Sequence, residues 1–86
     1  MEEAKKKIIL SVIGNAVKRR RCGKSQFMFG AEYDIPSSVL SDLERFVKDP
    51  QLTTIFKLAG AFGLSLSEFA GEIEKELPED FSVNEE

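Results

Sequence analysis

Ser37, Ser38, Ser41 and Asp42 can donate or accept hydrogen bonds, and their spacing puts all four on one face of a helix. The basic run Lys18-Arg19-Arg20-Arg21 lies upstream, followed by Lys24 and the amide of Gln26; Arg45 and Lys48 lie downstream. Ammonium, guanidinium and amide groups in this density suit contact with phosphate oxygens, the alternative being the solvated end of a helix. Covalent chemistry finds no support. The chain has no histidine, which removes the commonest general base and the commonest metal ligand. No nucleophile has an identifiable base, and Glu72 with Glu76 reads as a solvated helix face. The expectation is a protein that is not an enzyme and needs no metal and no cofactor.

Rods must hold these groups. Residues Ser25 to Pro50 read as two short helices joined by a tight turn, a geometry that can place a helix in the major groove of DNA. The first runs from Ser25 to Tyr33 with Ser25 as N-cap. Asp34, tolerant of the left-handed conformation, takes the turn. Pro36 suits the first position of the next helix, which is expected to reach about Val47. Val39, Leu40, Leu43 and Phe46 or Val47 mark its apolar face.

Three further helices complete the pattern, making the chain all-α. Helix 1 spans about Glu2 to Arg20, with Ile9, Val12, Ile13, Ala16 and Val17 on one face, and Gly23 ends it or starts the connection. Helix 4 spans about Leu52 to Phe62 and is closed by Gly63. Helix 5 starts at Ser65, which with Glu68 forms a capping box; it carries Phe69, Ile73 and Leu77 and stops at Pro78. That stripe is either a dimer surface or part of the core. Residues 1–77 are taken as one domain and 78–86 as an acidic, mobile tail.

Charge is unevenly placed. The chain carries −3 overall, yet residues 1–30 hold eight basic and two acidic groups, and residues 68–86 hold one basic and eight acidic groups. At 86 residues and 42% apolar content, one small core is what the chain can bury. The longest apolar run, near Ile8-Ile9-Leu10, is too short to span a membrane, and Glu2 and Glu3 break any signal-peptide pattern. The lone Cys22 excludes an internal disulfide and fits a reducing cytosol.

The chain resembles the lambda-repressor/Cro-like (Xre-type) helix-turn-helix family. The resemblance rests on Ser25-Gln26, Phe29-Gly30, Ile35, Ser38, Leu40-Ser41-Asp42-Leu43-Glu44, Pro50, Leu52, Thr54-Ile55, Lys57-Leu58-Ala59, Ala61-Phe62-Gly63 and Leu66, in ungapped register through Phe69. It implies a compact five-helix DNA-binding domain that binds double-stranded DNA as a homodimer. It also implies a transcriptional regulator, in particular a repressor, in the cytoplasm of a prokaryotic cell or encoded by a phage. The alternatives are an antitoxin-like regulator that engages a protein partner through helix 5 and the acidic tail, or a protein-interaction module with weak DNA affinity.

By that resemblance the DNA-contacting set is Lys24, Ser25, Gln26, Pro36, Ser37, Ser38, Val39, Ser41, Asp42, Arg45 and Lys48. Gln26 clamps a phosphate and Val39 is a candidate for a thymine methyl. Glu44 is assigned to a structural ion pair with Arg19 or Arg21, depending on the length of the connection after helix 1. Four positions depart from the family. Asp42 carries a charge that opposes DNA, Phe46 stands where relatives often have glycine, and Phe27 and Met28 replace polar residues. Phe46 implies that helix 3 continues another turn. Phe27 and Met28 either pack beneath helix 1, the favoured expectation, or form an exposed patch.

Overall fold

The computed structural model describes residues 3–82, which form five helices: α1 (Glu3–Arg20), α2 (Gln26–Tyr33), α3 (Ser37–Glu44), α4 (Leu52–Ala61) and α5 (Leu66–Glu76). No strand occurs among the described residues. Glu2, expected to begin helix 1, and residues 83–86 of the expected tail lie outside the described residues.

The core joins faces from all five helices. Val17, Leu40, Leu43, Leu58 and Phe69 are its largest fully enclosed side chains, with Ala16, Phe29, Ile35 and Ala59 around them. Each helix contributes apolar side chains to this one cluster, and Ile35 joins it from the turn between α2 and α3. Phe62 lies edge-on to Phe69, with ring centroids 5.4 Å apart, and Phe29 stacks at a tilt on Tyr33 at 4.9 Å. In α1 the buried face is Leu10, Val12, Ile13, Gly14, Ala16 and Val17; Ile9, expected there, is only half-buried.

Three helices end in the same hydrogen-bonded motif. After α2, Asp34 takes φ 58°, and the N–H of Ile35 donates back to the Gly30 carbonyl at 2.9 Å. After α4, Gly63 takes φ 73° and the N–H of Leu64 reaches the Ala59 carbonyl at 2.9 Å. Phe62 is the cap of α4 rather than its last helical residue. After α3 the left-handed residue is Phe46, at φ 63°; its N–H reaches Leu43 O and that of Val47 reaches Asp42 O. The expected continuation of this helix to Val47 therefore does not occur. The helix stops at Glu44 because Phe46 takes the left-handed conformation that closes a helix.

At the other end of α3, Pro36 is the N-cap and not the first helical residue. Its ψ of 139° is extended, so its carbonyl, accepting from Val39 N–H and Leu40 N–H, begins the ladder. The expected capping box of α5 is present: Ser65 Oγ accepts from Glu68 N–H, and Glu68 Oε1 accepts from Ser65 N–H at 2.8 Å. Phe69 and Ile73 of the α5 stripe belong to the core, whereas Leu77 is the cap that follows the helix. Phe69 is fully enclosed, Ile73 packs against the cluster and Leu77 is half-buried.

Candidate nucleic-acid interface

The angle between α2 and α3 is fixed by a glycine and a turn. A Cβ at Gly30 would lie 2.1 Å from the Ile35 carbonyl oxygen, so only glycine lets the chain fold back this closely. Lys57 of α4 holds the turn from outside, donating to the Asp34 carbonyl at 2.9 Å and approaching its carboxylate at 3.4 Å. Asp34 and Lys57 are far apart in sequence, and no local pattern announces their contact. Ile35 fills the space beneath the turn and is buried.

A second brace ties α1 to the far end of α3. Arg21 Nε donates to Glu44 Oε2 at 2.7 Å and Arg21 Nη2 to Glu44 Oε1 at 2.8 Å, a bidentate pair. Gln26 Nε2 adds a third bond to the same carboxylate at 3.2 Å. The Glu44 side chain is 5% exposed and that of Arg21 19%, so water competes little for the pair. Burial alone works against the charge of Glu44. The hydrogen bonds from Arg21 and Gln26 outweigh it and hold the carboxyl below the usual range. Glu44 in turn raises Arg21 further, through the hydrogen bond first and the charge second. Of the two partners open to Glu44, Arg21 is the one used, which corresponds to the shorter connection with Val17 and Ile13 facing the core. Arg19 pairs with Glu76 of α5 instead, at 2.9 Å.

The helix between these braces presents a polar face. Ser37 and Ser38 are exposed at its start, Ser41 and Asp42 are half-exposed one turn on, and Arg45 is exposed at its end. Pro36 before it and Lys48 after it are exposed as well. Val39 is turned partly inward, packing against the core cluster, so it offers less of its surface than expected. Ser25 is occupied in capping α2, its Oγ accepting from Met28 N–H at 3.0 Å. Gln26, at the first position of α2, points its amide at Glu44.

The basic cluster is used differently from the expectation that it serves phosphates. Arg19, Arg20 and Arg21 are each paired with a carboxylate, from Glu76, Glu72 and Glu44 respectively, and Arg20 also lies over the Phe62 ring at 5.3 Å. The cluster is a clasp between α1 and the helices it crosses. The i, i+4 acids Glu72 and Glu76 are the sequence signal for it: a pair one turn apart on α5 is matched by neighbouring arginines. Ion pairs also occupy Lys24 (with Glu32), Arg45 (with Asp42, at 2.6 Å) and Lys57.

Phe27 and Met28 do not pack beneath α1. They are 73% and 60% exposed, because α2 turns Phe29 and Gly30 inward. Among the described residues no group of His, Cys, Asp and Glu could hold a metal ion, and no helix is long and apolar enough to cross a membrane.

A family model described as Helix-turn-helix matches residues 17–69, more than half of the chain. The chain belongs to the lambda-repressor-like helix-turn-helix family. The match opens at Val17, whose side chain is fully enclosed, and closes at Phe69, equally enclosed, so it takes in most of the core and both braces. No curated protein and no solved structure matches the chain. Membership in this family, one of DNA-binding regulators, makes α2 and α3 the helix-turn-helix, with the exposed polar face of α3 held between two rigid supports.

Proposed function

We propose that this protein is a transcriptional regulator, acting chiefly as a repressor, that inserts α3 into the major groove of double-stranded DNA as a homodimer. The observation that carries the reading is the polar face Ser37, Ser38, Ser41 and Asp42, outward on a helix locked by Gly30 on one side and the Arg21–Glu44 pair on the other. The first turns of such a helix reach base edges. Serine hydroxyls donate or accept with equal ease, so direct readout is modest, and DNA shape and backbone contacts carry much of the selectivity. Lys24, Ser25, Gln26, Arg45 and Lys48 supply the backbone contacts. In a dimer the half-sites lie about 10 base pairs apart. Leu52 and Phe56, one turn apart on α4 and more than half exposed, favour α4 over α5 as the surface that meets a second copy. A cytoplasmic location and a separate acidic tail beyond residue 77 belong to the same proposal.

Two experiments test the reading. Fluorescence anisotropy with random-sequence duplex at two salt concentrations is expected to give salt-dependent binding. Light scattering on a sizing column is expected to give twice the chain mass of 9.6 kDa. Absence of DNA binding at low salt overturns the regulator.

A second reading, a protein-interaction or antitoxin-like module with weak DNA affinity, is favoured by two observations. Lys24, Arg45 and Lys57, around the recognition helix, are each matched by an acid, and exposed Phe27 and Met28 lie on α2.

A further inference from the structure

The ion pairs that occupy the arginines leave a different set of cations open. Among the described residues Lys6, Lys7, Lys18, Lys48 and Lys75 make no ion pair with an acid. Lys75 stands alone on α5. The other four gather around Phe46. Lys6 and Lys7 line a shallow groove of about 220 Å³ with Phe46 and Val47. Lys18 Nζ lies 5.9 Å from the centroid of the Phe46 ring, and Lys48 is two residues beyond it in the loop leaving α3.

We propose that Lys6, Lys7 and Lys18 form, with Lys48, a phosphate-binding track along α1 that grips the DNA strand flanking the end of α3. The inference rests on the DNA-binding reading and extends its electrostatic anchor. Phosphate contact spreads from the ends of α2 and α3 to the face of α1 that carries Lys7 and Lys18, apart from the arginines that clasp α5 and α3. Lys7, Gly14 and Lys18 fall on one face of α1, and Phe46 sits over Gly14 between the lysines. At a rise of 1.5 Å per residue, Lys7 and Lys18 stand roughly 17 Å apart along the axis. Over that length one strand of duplex presents about five phosphates. Lysine, a hydrated point charge on a flexible stem, suits such contacts because they need no fixed fork geometry. The opposing acids are few: Glu3 lines the same groove and Asp49 follows Lys48. Glu44, whose carboxylate feels Lys18, is already neutralised by Arg21.

The test is the salt dependence of binding by the full chain to a labelled random duplex of about 20 base pairs, in which each lost phosphate contact removes about 0.9 from the slope of log affinity against log salt. Lys6→Gln with Lys7→Gln is expected to lower the slope by about 2 and weaken binding several-fold, while Lys75→Gln leaves it unchanged. All three side chains lie outside the core, and circular dichroism confirms that the variants fold. A double variant with the wild-type slope overturns the track and leaves the DNA reading standing; so does an equal loss in Lys75→Gln. A wild-type chain with no salt-dependent binding overturns the DNA reading itself. Lysine-dependent binding to phosphatidylserine vesicles tighter than to duplex assigns the track to a lipid surface and overturns the proposal.

Discussion

Gly14 and Phe46 fit together as seat and plug. A Cβ at position 14 would lie 2.8 Å from two ring carbons of Phe46 and 2.2 Å from the Leu43 carbonyl oxygen. The missing side chain lets α1 approach the end of α3 closely enough for the aromatic ring to lie across it. That packing, with Lys18 above the ring, is what holds a bulky residue at a φ of 63° that it adopts reluctantly.

Gly14→Ala is therefore expected to destabilise the fold by about 2 kcal/mol or more, the cost of overpacking exceeding the gain of about 1 kcal/mol in helix propensity. Gly71→Ala is the counterpart. It lies within α5 with nothing near the added carbon, and is expected to stabilise by about 0.5–1 kcal/mol. Urea denaturation of the two variants checks both signs. A neutral Gly14→Ala would remove the seat from the account.

The Arg21–Glu44 pair predicts a pH dependence. Glu44 is held below the ordinary carboxylate value of about 4.3, so it binds a proton less readily folded than unfolded. Its stabilisation is complete above that value and is lost as pH falls through the folded-state value. Glu44→Gln is expected to cost stability at pH 7, and the gap between variant and wild type narrows as the pH falls below about 4. Arg21→Ala, which leaves a buried carboxylate without its main partner, is expected to cost more, about 3 kcal/mol. Urea midpoints at pH 7 and near pH 3.5 decide it; a gap that widens in acid contradicts the assignment.

Asp42 places a negative charge on the face proposed to meet DNA and ties up Arg45, to which it is bonded at 2.6 Å. Asp42→Asn removes the charge and frees the guanidinium, so affinity for random duplex is expected to rise about fivefold at low salt, roughly the effect of one unit charge at close range. Anisotropy at matched salt measures it. Unchanged or weaker binding places Asp42 away from the DNA.

Much of this arrangement was legible in the residues. Local signals fix the helix ends: Ser25 and Ser65 are caps, and Asp34 and Gly63 are left-handed closures. The periodicity of Leu40 and Leu43, and of Leu58 and Phe69, points to the core. The misread features depend on contacts between distant segments. Phe46 reads as a residue that prolongs a helix until Gly14, a helix away, is seen to receive its ring. The arginine run reads as a phosphate site until Glu72 and Glu76 arrive from α5. Phe27 and Met28 read as packing beneath helix 1, with an exposed patch as the alternative, but a helix of eight residues has one inward face and Phe29 and Gly30 occupy it.

The central claim is that α3 meets DNA with its leading face. Backbone amide shifts of the labelled protein, followed by NMR as duplex DNA is added, test it most directly. The largest changes are expected on Ser37, Ser38, Ser41 and Asp42, with smaller ones near Lys48. Changes confined to Phe27, Met28 and the exposed side of α4, with α3 unmoved at saturation, would contradict it.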